Sequence, residues 1–107
     1  MSAEEMSRVI IGTTPTITYK FNKVVVSDIA VAILTIKANN SILVEKHLED
    51  ATVGEKSLSW TLTQSETLSF DTSILKMMIN WKLNDGTRGA SAETKVVGVD
   101  NHKREVI

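Results

Sequence analysis

The run "ILKMMINWKLNDGT", residues 74–87, alternates apolar and polar side chains and then meets a turn. Leu75, Met77, Ile79, Trp81 and Leu83 fall on one side of an extended chain. Lys76, Met78, Asn80 and Lys82 fall on the other. A period of two is the signature of a strand with one buried face, whereas a helix would repeat its apolar positions every three to four residues. Asn84-Asp85-Gly86-Thr87 then supplies the strongest hairpin signal in the chain, because glycine takes up a left-handed conformation without steric cost. The expected product is a long strand, a tight turn and a return strand over about residues 89–97. The inward set of the return strand is read as Ala90, Ala92, Thr94 and Val96.

The same period extends outward from this hairpin. Leu58, Trp60 and Leu62 alternate with Ser57, Ser59 and Thr61, and Ile17, Tyr19 and Phe21 alternate with Thr16, Thr18 and Lys20. Pro15 sits just before the latter segment, where its missing N–H does little harm at a sheet edge, and Gly12–Pro15 reads as a bend. Residues 31–38, "VAILTIKA", hold alanines that suit a helix, but the branched residues and the Asn39-Asn40 turn signal favour a strand. That strand pairs in a hairpin with residues 42–48, "ILVEKHL", and Val24-Val25-Val26 reads as a further short strand before the Ser27-Asp28 break. Six or seven short strands with no long helix predict an all-β fold, an immunoglobulin-like antiparallel β-sandwich. Residues 1–107 are expected to form one domain, with a core over about 12–99 and polar tails at both ends.

Composition narrows the function classes. Of the 107 residues 42% are hydrophobic, enough for a packed core. Twelve basic residues against thirteen acidic give a net charge of −1, which argues against nucleic acid as a partner. Cysteine is absent, so the expectation is a core-stabilised protein of a reducing compartment with no thiol-ligated metal. No apolar run approaches the roughly 20 residues that span a bilayer, and the N-terminal sequence lacks the pattern of a signal peptide.

The best candidate for chemistry is the polar cluster Thr61, Thr63, Gln64, Ser65, Glu66 and Thr67. Thr63 and Glu66 have the spacing of a capping box, in which a hydroxyl and a carboxylate each satisfy a free backbone N–H at a helix start. A catalytic reading needs a base and an orienter beside Ser65, and neither histidine, His47 or His102, is near in sequence. The corner reading is therefore preferred. Two separated histidines make no metal site, and Glu45, Glu49, Asp50 and Glu55 form a loose acidic patch with no evident cleft. "NDGTRG" lacks the spacing of a phosphate-binding loop. Catalytic, cofactor-binding and metal residues are therefore all read as none. Met78, on the polar phase of its strand, could join Val97 or Val99 in an exposed docking patch.

"RVIIGTTPTITYKF" (8–21), "VSDIAVAILTIKANNSILVEKHLEDATV" (26–53), "LSWTLTQSETLSF" (58–70) and "NWKLNDGTRGASAETKVVGV" (80–99) together resemble small prophage-encoded proteins of Gram-positive bacteria, found among tail and baseplate genes. The Gly-Thr-Thr-Pro opening, the Leu-Thr-Gln-Ser-Glu-Thr-Leu corner and the Asp-Gly-Thr hairpin are similar to the N-terminal domain of phage baseplate upper proteins. Those proteins continue into long helical or receptor-linking regions, which this sequence does not contain. The resemblance implies a non-enzymatic structural component that docks against other phage tail or baseplate proteins, with homo-oligomerisation as an option. It implies assembly in the cytoplasm of the bacterial host, and a place in the virion as a further option. The alternative is a carbohydrate- or surface-binding sandwich, which would display aromatic side chains in a row. A small hydrolase using Ser65 and Glu66 is the third reading.

Overall fold

The computed structural model describes residues 6–70 and 74–107. The strands are β1 (Met6–Ile10), β2 (Thr16–Lys20), β3 (Ile29–Ala38), β4 (Ser41–His47), β5 (Thr52–Val53), β6 (Ser57–Thr61), β7 (Ile74–Leu83), β8 (Arg88–Ala90) and β9 (Thr94–Val99). One helical turn, α1 (Gln64–Leu68), joins β6 to β7. The strands form a six-stranded sheet in the order β1-β9-β7-β3-β4, with β8 also paired to β7, and a three-stranded sheet in the order β2-β6-β5.

This is the immunoglobulin strand order. The small sheet corresponds to strands B, E and D, and β9-β7-β3-β4 to G, F, C and C′. The first strand departs from the simple scheme. It lies beside β9 in the large sheet, parallel to it, rather than beside β2.

Alternation decides what is buried. Leu34 and Ile36 of β3, Leu58 and Trp60 of β6, and Leu75, Met77 and Ile79 of β7 face one another between the sheets. Leu62, Phe70 and Val96 complete the interior. Each large side chain removed from water in this way contributes about 1.5–3 kcal/mol, which is how a chain with no disulfide supports two sheets. Trp60 satisfies its indole by donating to the His47 carbonyl at 3.0 Å, tying β6 to the end of β4. Among the described residues no buried side-chain nitrogen or oxygen lacks a partner.

Both hairpins form where the sequence places them. Asn39 adopts φ 55° in the β3–β4 turn, a conformation asparagine tolerates, and Gly86 adopts φ 92° in the β7–β8 turn. There the Gly86 N–H donates to the Leu83 carbonyl at 2.9 Å, and the Thr87 N–H donates to Asp85 Oδ1 at 2.8 Å.

Five expectations are corrected. The sandwich is mixed, not purely antiparallel, because β1 runs parallel to β9. The core begins before residue 12: Val9 and Ile11 are buried, and the Ile11 N–H donates to the Val99 carbonyl at 2.9 Å. Nine strands are described, more than the six or seven expected. One reason is that the return segment divides into β8 and β9. Ser91 causes that division. Its N–H donates to the Ile79 carbonyl at 2.8 Å, while its hydroxyl accepts the Ile79 N–H at 2.9 Å, so a side chain takes the place of the backbone ladder. The register then runs from Asn80↔Ala90 to Met77↔Thr94, which inserts one extra residue and reverses the phase. Thr94 and Val96 face inward as expected, but Ala90 and Ala92 are exposed.

Val24–Val26 is not a strand. Val26 begins a 3-10 turn that runs to Asp28, and its N–H donates to the Glu55 carbonyl at 2.9 Å. This turns Val26 itself into the core. The C-terminal segment remains irregular but is fastened: Asn101 Nδ2 donates to the Ile11 carbonyl at 2.8 Å. Gln64 also exchanges two hydrogen bonds with the backbone of Ile107.

Candidate functional site

The polar cluster at residues 61–67 is a corner. Thr63 Oγ1 accepts the Glu66 N–H at 3.1 Å and the Glu66 carboxylate accepts the Thr63 N–H at 2.8 Å, which is the reciprocal capping box. Lys46 adds an ion pair to Glu66 at 2.9 Å. Burial pushes the Glu66 carboxyl up, yet the Thr63 N–H and the Lys46 ammonium outweigh it and hold the pKa below the ordinary glutamate range. Thr67 is fully buried. Its hydroxyl accepts the Gly12 N–H at 3.0 Å and donates to the Thr13 carbonyl at 2.7 Å, stitching α1 to the bend before β2. Ser65 is exposed on the outside of this turn.

The remaining sequence candidates lie apart. His47 sits on β4 with Nε2 3.1 Å from Glu45, and its N–H donates to Asp50 Oδ2 at 3.0 Å, while His102 is exposed in the C-terminal segment. Among the described residues no group of three or more histidine or acidic side chains could hold a metal ion. Trp60 is fully buried. Trp81 is half-buried, and its indole covers Gly89 opposite it on β8. Tyr19, Phe21 and Trp81 pack with ring centroids 4.9–5.7 Å apart, an arrangement that consumes their faces within the fold.

The outer face of the six-stranded sheet is different. Cross-strand register places Ile74 opposite Val97, and Ile10 opposite Val99. Ile74 and Ile10 are 55% and 50% exposed, so these four residues make a contiguous apolar surface. Next to it Lys37, Lys76 and Lys95 stand directly opposite one another on β3, β7 and β9. Like charges directly opposite across strands destabilise a sheet. The nearest relief is Glu93, 3.9 Å from Lys76 on a well-exposed side chain, which screening leaves almost without effect.

Beyond the lysines, Met78 pairs with Thr35, and further along Lys82 pairs with Arg88. Two shallow hollows, of about 320 and 250 Å³, open on this face beside Met78 and beside Ile33. The sequence pointed to Met78, Val97 and Val99. It missed Ile74, Ile10 and the lysine row, which appear only when the register of β1, β3, β7 and β9 is known.

The opposite surface, on the small sheet, carries hydroxyls. Thr16 bonds to Thr61 at 2.9 Å and Thr18 to Ser59 at 2.8 Å, so these groups satisfy one another.

Together these features define an all-β sandwich of immunoglobulin-like strand order, polar on its small sheet and apolar and cationic on its large one. Comparison with protein-family models and with curated proteins finds no match. Among the described residues no helix is long and apolar enough to cross a membrane.

Proposed function

We propose that the chain is a non-catalytic interaction module that docks another protein on the outer face of its six-stranded sheet. In the setting that the sequence resemblance implies, the partner is another tail or baseplate component of a phage. The lysine row carries this reading. Lys37, Lys76 and Lys95 stand in register at a cost to the sheet, beside the apolar surface of Ile74, Val97, Ile10 and Val99. A partner surface with carboxylates flanked by apolar groups would relieve the repulsion and remove the apolar area from water together.

The test is site-specific photo-crosslinking in cells assembling phage tails, with the reactive side chain in place of Val97 or, on the other sheet, Ser59. A tail or baseplate protein captured from position 97 and not from 59 is the expected result. Equal capture from both positions, or capture of nucleic acid from position 97, would overturn the proposal.

A further inference from the structure

The small sheet has an edge that this chain leaves open, and the geometry points to an extended peptide segment of a partner protein as its occupant. In an immunoglobulin sandwich strand A covers strand B, but here β1 lies in the other sheet. Among the described residues no strand pairs with the outer edge of β2. The Leu62 N–H donates to the Pro15 carbonyl at 2.9 Å and the Phe21 N–H to the Lys56 carbonyl at 2.8 Å. Antiparallel alternation therefore turns the backbone groups of Ile17 and Tyr19 toward β6, and those of Thr16, Thr18 and Lys20 away from it. Three N–H and three carbonyl groups at strand spacing face outward.

Directly beside them lies a cleft of about 240 Å³ between the sheets, walled by Ile17 and Tyr19 and floored by Val9, Met77 and Ile79. That volume falls below the roughly 300 Å³ at which small-molecule sites begin, and it suits a pair of side chains from alternate positions of one strand. The floor continues outward past β2 to Val9 on β1. A second copy offering its own β2 would drive its large sheet into that floor, whereas a single extended segment fits. The lining is otherwise apolar or hydroxyl-bearing, while Arg8, at the rim on β1, stands opposite Val97 and in phase with Ile10 on the outer face of the large sheet. The segment is therefore selected by its backbone and its apolar side chains. This surface is separate from the docking face proposed above, and either can fail without the other.

The test uses the full chain, isotopically labelled, and a blocked peptide of about eight residues, alternating valine and threonine with a glutamine at each end. Amide exchange at Thr16, Thr18 and Lys20 is fast in the free protein and slows roughly tenfold or more when the peptide is bound. Thr18→Pro removes an outward donor without touching the β2–β6 ladder, and abolishes that protection. Ile17→Ser removes an apolar wall of the cleft and weakens peptide binding several-fold, a readout independent of whether the proline variant folds. Amides already protected in the free protein, or protected by raising protein concentration alone, would overturn the inference. So would peptide binding that leaves these three amides unchanged.

Discussion

Thr67 shows how one hydroxyl can fix a crossing between two sheets. It is fully buried, and its oxygen serves both the Gly12 N–H and the Thr13 carbonyl. Replacing it with valine keeps the shape but strands both groups in a dry interior. Thr67→Val should therefore cost about 2–3 kcal/mol in urea denaturation, well above the effect of an exposed substitution such as Ser65→Ala. Gly89 makes the complementary point about space. A Cβ there would lie 2.6 Å from the Trp81 indole, whose ring cannot retreat from its contacts with Tyr19 and Phe21. Gly89→Ala should cost about 1–3 kcal/mol and alter the near-ultraviolet signal of Trp81, as overpacking does.

At the scale of the element, the corner between β6 and β7 is where the sequence was most informative. The spacing of Thr63 and Glu66 announced a capping box, and α1 starts with that box in place. Because the folded pKa of Glu66 is depressed, its contribution is present above its unfolded pKa and fades as pH falls through the folded value. Stability should therefore drop as the solution is acidified through and below the ordinary glutamate range. In Glu66→Gln that part of the drop should be missing, with a loss of less than about 1 kcal/mol at neutral pH because the pair with Lys46 is partly exposed. Denaturation midpoints across the acid range give the comparison. The long strands and both hairpins were equally legible, since period-two alternation and turn residues are local signals. β1 and the break at Ser91 were not. The strand at β1 is defined by pairing with β9, nearly the whole chain away, and Ser91 ends β8 by substituting a hydroxyl for a backbone partner, which no pattern of apolar residues encodes.

For the whole molecule, the working surface depends on register. The sequence shows that Lys37, Lys76 and Lys95 occupy outward phases at best; only the pairing of β3, β7 and β9 brings them into one row. Overall charge is near balance, so the cationic row is a matter of placement and not of composition. The fold does not need this row, because hydrophobic burial between the sheets supplies its stability and the lysines oppose it. The claim that this face serves a partner rests on that conflict. Its most direct test is the urea midpoint of Lys95→Glu against the unaltered protein at low ionic strength. The variant places a carboxylate opposite Lys76 and should be more stable by about 0.5 kcal/mol, with the gain disappearing in high salt. Equal or lower stability of Lys95→Glu at low salt would contradict the account.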